Sequence, residues 1–278
     1  MNSILVVGGL NMDVLGSPAA GGRSHDSLQG SIVMRPGGVG RNIAARLAGM
    51  GARVELLTVL GNDSFSQVLE QACAAERIGL RHALRSSGSS CLYMAIHDVQ
   101  GDMLAAINDM APMRLLTADH LAQHMPSDGY ACCVLDANLP VETLQAAAAH
   151  STAPLVADPV SCDKADRLRP ILSQLTAFKP NLLEAQYLSG AQSPQDAADW
   201  CLQAGIRQVY ISMGQEGLYF ASQEDRGLLA PPLKLTTPAT GAGDAMTAGI
   251  ALAVAQGLSP RACAQRGLQA SADHLMKQ

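Results

Sequence analysis

The chain has 278 residues, of which 48% are hydrophobic, and it carries a formal net charge of −5. That length and composition can bury a large core, which favours one large α/β domain and excludes an intrinsically disordered chain. The lysine and arginine residues are scattered, so the charge pattern excludes a nucleic-acid-binding surface and contact with an anionic membrane. Small molecules are therefore the expected partners.

The cysteines and the N-terminal segment indicate a compartment. The chain has seven cysteines and no C-x-x-C pair, which argues against a disulfide framework and a zinc cluster. Residues Met1–Leu10 lack a basic start and break at Gly8 and Gly9, so we expect a strand there rather than a signal peptide. No apolar run approaches membrane-spanning length. We therefore expect a cytoplasmic protein.

Short apolar runs bounded by turn residues alternate with segments of helical spacing. The predicted strands are Ile4–Gly9, Val54–Gly61, Tyr130–Asp136, Pro154–Asp158, Ala177–Pro180, Gln208–Gly214 and Leu218–Ala221. The predicted helices are Gly40–Gly49, Ser64–Ala75, Pro140–Ala148, Glu184–Leu188, Pro194–Ala204, Gly241–Gln256 and Pro260–Lys277. This alternation predicts a mostly parallel sheet covered by helices.

Two stretches, Val14–Arg35 and Ser87–Asn108, interrupt this alternation and contain no good helix. Their strand-like pieces are Ser31–Arg35, Cys91–His97 and Met103–Ile107. We expect the two stretches, at about 14–35 and 87–108, to form a small β lid on a single domain that spans residues 1–278. An exposed lid can pair with a second lid, so we expect a homodimer through the lid.

Residues Thr240–Asp244 are the most informative segment of the chain. Gly241 and Gly243 open a long run of small residues that predicts a helix. The first N–H groups of a helix lack intrahelical partners and favour an anion, and glycines permit its close approach. Asp244 is either a first-turn charge that partners the helix dipole or a general base that faces the acceptor of a phosphate group.

Polar residues recur where the predicted strands end. They are Asn11, Asp13, Asp136, Asn138, Asp158, Asn181 and Glu184. Each of them has a simple explanation in capping or turn formation. Open α/β sheets, however, bind ligands beyond the carboxyl ends of their strands. Their recurrence at one edge therefore favours a binding site.

Three further segments each have two interpretations. In Gly37–Asn42, the amide of Asn42 either binds a sugar hydroxyl or caps a helix, and Arg41 is interpreted as a surface residue, with phosphate or a base carbonyl as its alternative partner. Asn181–Glu184 is either a Mg²⁺ site that works through water or a capping box. Ser212–Gly217 is either a hairpin or a loop that contacts a nucleotide.

Other nucleotide and metal motifs are missing. The sequence has no G-x-x-x-x-G-K-[ST] loop, and the glycines after the first strand do not complete G-x-G-x-x-G. This excludes a Walker NTPase and removes the usual support for hydride transfer from a nicotinamide cofactor. The seven histidines form no H-E-x-x-H set, and most are interpreted as solvent-facing or structural.

Taken together, the motifs resemble the ribokinase-like, PfkB-type family of carbohydrate and nucleoside kinases over essentially the whole chain. Gly37–Asn42 is similar to its N-terminal signature, Asn181–Glu184 to its N-x-x-E motif and Thr240–Asp244 to its C-terminal signature. Within the family, the resemblance is greatest to the branch that phosphorylates the nucleoside pseudouridine. It is carried by Pro36–Ala44, Asp102–Met110, Asp158–Ser161, Lys179–Asn181 and Glu184-Ala185.

The resemblance implies a three-layer α/β/α fold with a small β lid, and an ATP-dependent kinase that uses Mg²⁺ and, in some members, K⁺. Asp244 would be the base, and the N–H groups of Ala242, Gly243 and Asp244, with Gly241 before them, would form the anion hole. The nucleoside would be bound by Asn11, Asp13, Gly38, Asn42, Ser89, Asn108 and Asn138. The nucleotide would contact Asn181, Ser212, Gly214, Gly217, Thr240 and Gly243, and Glu184 with Asn181 would hold Mg²⁺ through water.

Two alternatives stay open. The first is a kinase of the same family that acts on another nucleoside or on a free sugar, although ribokinases usually have lysine where this chain has Val39. The second is a non-catalytic nucleotide or sugar sensor, which would be expected to lose the base or the anion-hole glycines. The chain keeps Asp244, Gly241 and Gly243.

Overall fold

The computed structural model describes residues 2–21, 26–232 and 240–277. Its strands are β1 (Ser3–Val7), β2 (Asn11–Pro18), β3 (Gly30–Gly37), β4 (Arg53–Leu57), β5 (Val59–Leu60), β6 (Ile78–Gly79), β7 (Leu84–Arg85), β8 (Cys91–His97), β9 (Met103–Asp109), β10 (Cys132–Asp136), β11 (Leu155–Asp158), β12 (Ala177–Phe178), β13 (Gln208–Ser212), β14 (Leu218–Ser222) and β15 (Arg226–Leu229). Its α-helices are α1 (Val39–Gly49), α2 (Ser64–Ala75), α3 (Ala118–His124), α4 (Val141–His150), α5 (Cys162–Ala165), α6 (Leu182–Ser189), α7 (Pro194–Gln203), α8 (Ala242–Ala255) and α9 (Pro260–Leu275).

The central sheet has the strand order β15-β14-β13-β12-β11-β10-β1-β4-β6. Neighbouring strands are parallel except at the β13–β14 and β14–β15 pairs. Along β1, Leu5 and Val7 pack into one apolar cluster with α3, α4, α6 and α7, whereas Ile4 and Val6 pack into another with α1, α2, α8 and α9. Both faces of the sheet are therefore covered by helices, and the predicted three-layer α/β/α architecture is confirmed.

A second sheet has the order β3-β2-β8-β9 and is much less buried. All of β9 and the first six residues of β3 are exposed. These strands lie in and around the two stretches predicted to interrupt the core. Strand β2 was not predicted, since Gly16 and Pro18 obscure its alternation. Asn11 and Asp13 consequently lie on a strand rather than in a loop.

Other differences from the predicted elements include the run 54–61 and two short helices. The run 54–61 is not one strand, because β4 joins the central sheet and β5 pairs with β7 in a separate two-stranded sheet. Helices α3 and α5 were not predicted, because they have seven and four residues and give little periodic signal. Helix α2 has the predicted bounds, since the Asp63 carboxylate caps it by accepting from the N–H of Ser66.

The expectations for cysteines and membrane segments can be compared with the described residues. The seven cysteines, all within those residues, are free, and Cys132 and Cys133 are buried in β10. Across 2–21, 26–232 and 240–277, no helix combines the length and apolar character needed to cross a membrane.

Candidate active site

Gly9, just beyond β1, joins three parts of the site. Its N–H donates to Asp136 Oδ2 at 2.8 Å, and its carbonyl accepts from the N–H of Arg41 at 3.0 Å. A Cβ at Gly38 would lie 2.4 Å from the Gly9 carbonyl oxygen, and Gly38 has a φ of 98°. Glycine is therefore required at position 38, and it lets α1 begin against the end of β1.

Asn11 and Asp13 form a polar pair beside this helix start. Asn11 Nδ2 donates to Asp13 Oδ1 at 2.7 Å, and the Asp13 carboxylate is partly exposed. Arg35 on β3 places its Nε 3.6 Å from Asp13 Oδ2, a partner that the sequence did not indicate. The pair presents acceptor oxygens from a strand of the second sheet. Such oxygens suit vicinal hydroxyl groups, because an ionised carboxylate is an acceptor only.

Asp244 lies in the first turn of α8, opposite the start of α1. Asn42 Nδ2 donates to Asp244 Oδ2 at 2.8 Å, so the N- and C-terminal motifs meet here. Burial, and then the charge of Asp158, raises the pKa of Asp244 to about 6, although the Asn42 hydrogen bond acts in the opposite direction. A carboxylate with this pKa is suited to accept a proton near neutral pH.

The start of α8 leaves backbone donors available. Gly241 precedes the helix with a φ of 85°, and among the described residues no side chain caps this end. The first intrahelical bond runs from the N–H of Ala245 to the Gly241 carbonyl. The N–H groups of Ala242, Gly243 and Asp244 therefore belong to the unpaired first turn, where an anion is favoured.

Lys179 supplies a buried positive charge beside these donors, and the sequence-based prediction gave it no role. Its Nζ lies 3.2 Å from Asp158 Oδ2, and a Cβ at Gly243 would lie 3.3 Å from the same Nζ. Burial by itself lowers the pKa of Lys179, but the carboxylates of Asp158, Glu184 and Asp244 outweigh it and the pKa is raised. The ammonium group therefore stays charged next to the start of α8. A lysine just after an apolar strand was the available signal.

Asn181 and Glu184 form the capping box of α6. Asn181 Oδ1 accepts from the Glu184 N–H at 2.9 Å, and Glu184 Oε2 accepts from the Asn181 N–H at 2.8 Å. Burial, and then Asp158, raises the pKa of Glu184. No group of three or more metal-ligating side chains occurs among the described residues. One buried carboxylate with its second oxygen outside the box fits Mg²⁺ bound through water, which keeps most of its hydration shell.

The loop after β13 contains the predicted nucleotide contacts. The Ser212 N–H donates to the Pro180 carbonyl at 3.0 Å, and Asn181 and Ser212 form a β-bridge, so this loop lies beside the capping box. β13 and β14 are an antiparallel pair joined by the turn at Gly214–Glu216, as the hairpin interpretation predicts. A Cβ at Gly217 would lie 2.0 Å from the Leu229 carbonyl oxygen, which accounts for this glycine structurally.

His274 on α9 holds the backbone just before α8, a contact that the sequence did not indicate. The Thr240 carbonyl oxygen lies 2.9 Å from His274 Nε2. A Cβ at Gly241 would lie 3.0 Å from the same nitrogen. The buried imidazole therefore packs against the turn that precedes α8.

Asn138 and Asn108 line one cavity of about 460 Å³ at this edge of the sheet. Lys164 Nζ donates to Asn138 Oδ1 at 2.6 Å, and Arg114 and Arg167 also line the cavity. Ser89 is not among the residues that line it. Its backbone instead packs against Gly61. Of the predicted nucleoside-binding residues, Asn108 and Asn138 therefore lie together in this cavity, whereas Ser89 does not line it.

The interpretation of Arg41 as a surface residue is wrong. Its side chain is 13% exposed, and its Nη1 donates to Glu76 Oε1 and Oε2 at 3.0 and 3.1 Å. Its Nη2 donates to the Pro36 carbonyl at 2.8 Å and to Asn42 Oδ1. The partners come from β3, α1 and the end of α2, which is why periodicity in the sequence could not indicate them.

The family model of the pfkB carbohydrate kinases matches residues 1–273. The chain belongs to the pfkB family of carbohydrate kinases. This pfkB kinase is 35% identical to a pseudouridine kinase of Escherichia coli over 257 residues, which are 89% of this chain and 82% of the relative. It is 30% identical to an uncharacterized sugar kinase of the same organism, YeiI, over 92% of this chain and 74% of the relative.

A solved structure gives the same result for the fold. The ribokinase of Thermotoga maritima superposes on this pfkB kinase with a TM-score of 0.87 at 22% identity, covering 98% of this chain and 92% of the other. The ribokinase-like fold and the family resemblance are confirmed. The chain is thus a phosphotransferase of a family whose kinases use ATP, typically with Mg²⁺, and act on small molecules.

Proposed function

We propose that this pfkB kinase transfers the γ-phosphoryl group of ATP to the 5′ hydroxyl of pseudouridine, with Asp244 as general base. The contact between Asn42 and Asp244 carries the proposal, because it joins the sugar-facing start of α1 to the start of α8. The raised pKa of Asp244, about 6, supports the role of proton acceptor. The 35% sequence identity to a pseudouridine kinase of Escherichia coli supports the choice of acceptor.

The ribose would lie against the polar pair of β2. Asp13 would accept from the 2′ and 3′ hydroxyls, and Asn11, Gly38 and Asn42 would complete the contacts. The cavity lined by Asn108 and Asn138 would take the base. Its lining contains amide, carboxylate, ammonium and guanidinium groups, so it offers both the donors and the acceptors that a pyrimidine-dione needs. A free pentose would leave this volume unfilled, which favours a nucleoside.

The transfer step uses the groups at the start of α8. The 5′ oxygen attacks the γ-phosphorus, its proton passes to Asp244 Oδ1, and the bond from phosphorus to the β–γ bridging oxygen breaks, so that ADP leaves with the electron pair. The N–H groups of Ala242, Gly243 and Asp244 would hold the transferring oxygens, and Lys179 would add charge stabilisation. Mg²⁺ held through water by Glu184, with Asn181 as the cap that fixes this carboxylate, would neutralise charge on the nucleotide phosphates.

The remaining proposed nucleotide contacts lie on both sides of the groups that carry out the transfer. Ser212, Gly214 and Gly217 would face the nucleotide from the β13–β14 turn, next to Asn181. Thr240 would contact it from the other side, where His274 holds its carbonyl. A monovalent cation enters the proposal only as an activator, and adding K⁺ to the assay tests it.

We also propose that the second sheet acts as a lid over the nucleoside and pairs with the lid of a second copy. Its outer strands expose large apolar side chains, including Ile32 at 75%, Leu104 at 67% and Ile107 at 67%. A monomer that keeps such a patch in water is unfavourable. The molar mass in solution, by light scattering, tests this proposal, with Ile32→Asp expected to give the monomer. A wild-type monomer at micromolar concentration would contradict it.

The function is tested by ADP release with ATP and Mg²⁺ over six acceptors: pseudouridine, uridine, adenosine, cytidine, ribose and fructose 6-phosphate. We expect the highest kcat/KM with pseudouridine and a loss of roughly a hundredfold or more in kcat for Asp244→Asn. Asp119→Asn is the matched control, since Asp119 is also a first-turn helix carboxylate but is exposed on α3.

The other outcomes separate the alternatives. Preference for another nucleoside or for ribose would keep the mechanism and replace the acceptor, as the likeness to a sugar kinase allows. Binding of ATP and nucleoside without ADP release would favour a sensor. Full turnover of Asp244→Asn would remove this residue from the role of base.

A further inference from the structure

Arg41 connects three structural elements at the back of the active site. Its guanidinium donates to both carboxylate oxygens of Glu76, to the carbonyl of Pro36 and to Asn42 Oδ1. Glu76 ends α2, Pro36 lies near the end of β3, and Asn42 lies in the first turn of α1. Neither Arg41 nor Glu76 belongs to the proposed set of substrate-binding residues.

The chemistry of the Asn42 amide makes this contact directional. An amide has one face that accepts and one that donates, whereas a guanidinium is a donor only. Arg41 therefore holds Oδ1 of Asn42 towards itself, and Nδ2 is directed to Asp244, to which it donates at 2.8 Å. The reversed amide would set its oxygen against the Asp244 carboxylate and its NH₂ group against a cation.

Glu76 fixes the guanidinium in turn. Both carboxylate oxygens of Glu76 accept from Arg41 Nη1, at 3.0 and 3.1 Å, and the Arg41 side chain is only 13% exposed. Charge-assisted bonds of this kind restrict rotation of the planar group more than a single neutral bond does. A continuous chain of contacts thus runs from Glu76 through Arg41 and Asn42 to Asp244.

We propose that Arg41, clamped by Glu76, is a positioning residue that sets the orientation of the Asn42 amide and so keeps the Asp244 carboxylate ionised for proton transfer. The inference rests on the proposed function in that Asp244 is taken as the base. The other charged groups around Asp244 are Asp158 on β11, Asp136 on β10 and Lys179 after β12, and His274 on α9 packs against the turn before it.

The first test compares the pH dependence of kcat in four variants with that of the wild type. In Arg41→Met the amide can reverse, Asp244 loses a donated hydrogen bond, and the acid limb should move to higher pH by about one pH unit. Glu76→Gln keeps Arg41 but loosens it, so its limb should move in the same direction by less. Arg41→Lys should recover part of the change seen in Arg41→Met, because lysine still donates to Asn42.

Glu70→Gln is the matched control. Glu70 lies on α2, which Glu76 caps at its C-terminal end. The Glu70 side chain has the same 37% exposure as that of Glu76, and it also pairs with an arginine, Arg85. The pair of Glu70 and Arg85 faces solvent and forms no hydrogen bond with Arg41, Asn42 or Asp244. Loss of this pair should leave the acid limb of kcat at its wild-type position.

A second readout does not require the right acceptor. The carboxyl carbon of Asp244, labelled with ¹³C and assigned by its absence in Asp244→Asn, can be titrated by NMR in the ligand-free protein. The same order of midpoints is expected: Arg41→Met highest, then Glu76→Gln and Arg41→Lys, with Glu70→Gln equal to wild type. Wild-type midpoints for Arg41→Met and Glu76→Gln in folded protein would overturn the proposal, even if both variants were less stable. Failure of the proposed function would show differently, as a wild type that phosphorylates none of the six acceptors.

Discussion

Asp244→Asn is expected to make the protein more stable at neutral pH while it removes the proton acceptor. Burial, and then the charge of Asp158, raises the pKa of Asp244 from its ordinary 3.8 to about 6. Raising a pKa by one pH unit corresponds to about 1.4 kcal/mol, so the ionised carboxylate costs the folded state up to about 3 kcal/mol. Asparagine carries no charge and avoids this cost, apart from any change in its bond to Asn42.

The pH dependence of this effect has a definite sign. Well below pH 3.8, Asp244 is protonated in the folded and unfolded states alike, and it contributes no penalty. The penalty grows as pH rises from the unfolded pKa to the folded one and is complete above about pH 6. The advantage of Asp244→Asn should therefore be largest above that pH and small near pH 4.

Urea unfolding from pH 4 to 8, followed by circular dichroism, measures this difference. The free energy of unfolding of Asp244→Asn should exceed that of the wild type by roughly 1–3 kcal/mol at pH 7.5 and by only about 0.5 kcal/mol at pH 4. The exposed first-turn variant Asp119→Asn should show no such gain. A gain that does not change with pH, or a loss at pH 7.5, would refute the electrostatic reasoning.

Three further predictions concern the same site. The acid limb of kcat should lie near pH 6, the pKa of Asp244, and activity that stays constant down to pH 5 would exclude a base with that pKa. Lys179→Met leaves Asp158 buried without its cation, so urea unfolding should show a loss of about 3–5 kcal/mol, falling markedly in an Asp158→Asn background. Gly241→Ala puts a side chain at a φ of 85° and against His274, so we expect a cost of about 1–2 kcal/mol and a lower kcat; wild-type values in both measurements would contradict this.

Local signals explain how much of the fold was predictable. Helix α2 begins after the capping residue Asp63, and α7 and α9 each begin with a proline that follows a capping serine. Those signals lie within a few residues of the helix start, so the sequence contains them directly. Strand β2 depends on pairing with β3 and β8 instead, and no local pattern marked it.

The candidate site likewise contains features that local sequence predicts and features that depend on packing between distant segments. The first-turn position of Asp244 and the capping box of Asn181 follow from spacing along one helix. The hydrogen bond between Asn42 and Asp244 joins residues 202 positions apart, and it depends on how α1 packs against α8. The ion pairs of Arg41 with Glu76 and of Lys179 with Asp158 also join different elements of the fold. Their roles become visible only when the packing of the helices is known.

The exposure of the second sheet affects the order in which parts of the protein unfold. β3 and β9 are its outer strands, and most of their residues are exposed, whereas β1 lies at the centre of the core. Few apolar contacts oppose their separation, so the amide protons of β3 and β9 should exchange with solvent through partial unfolding, long before those of β1. A bound nucleoside that contacts this sheet would slow amide exchange in β3 and β9 and leave the exchange rates of β1 unchanged. Acceptor binding can therefore be followed as local protection from exchange.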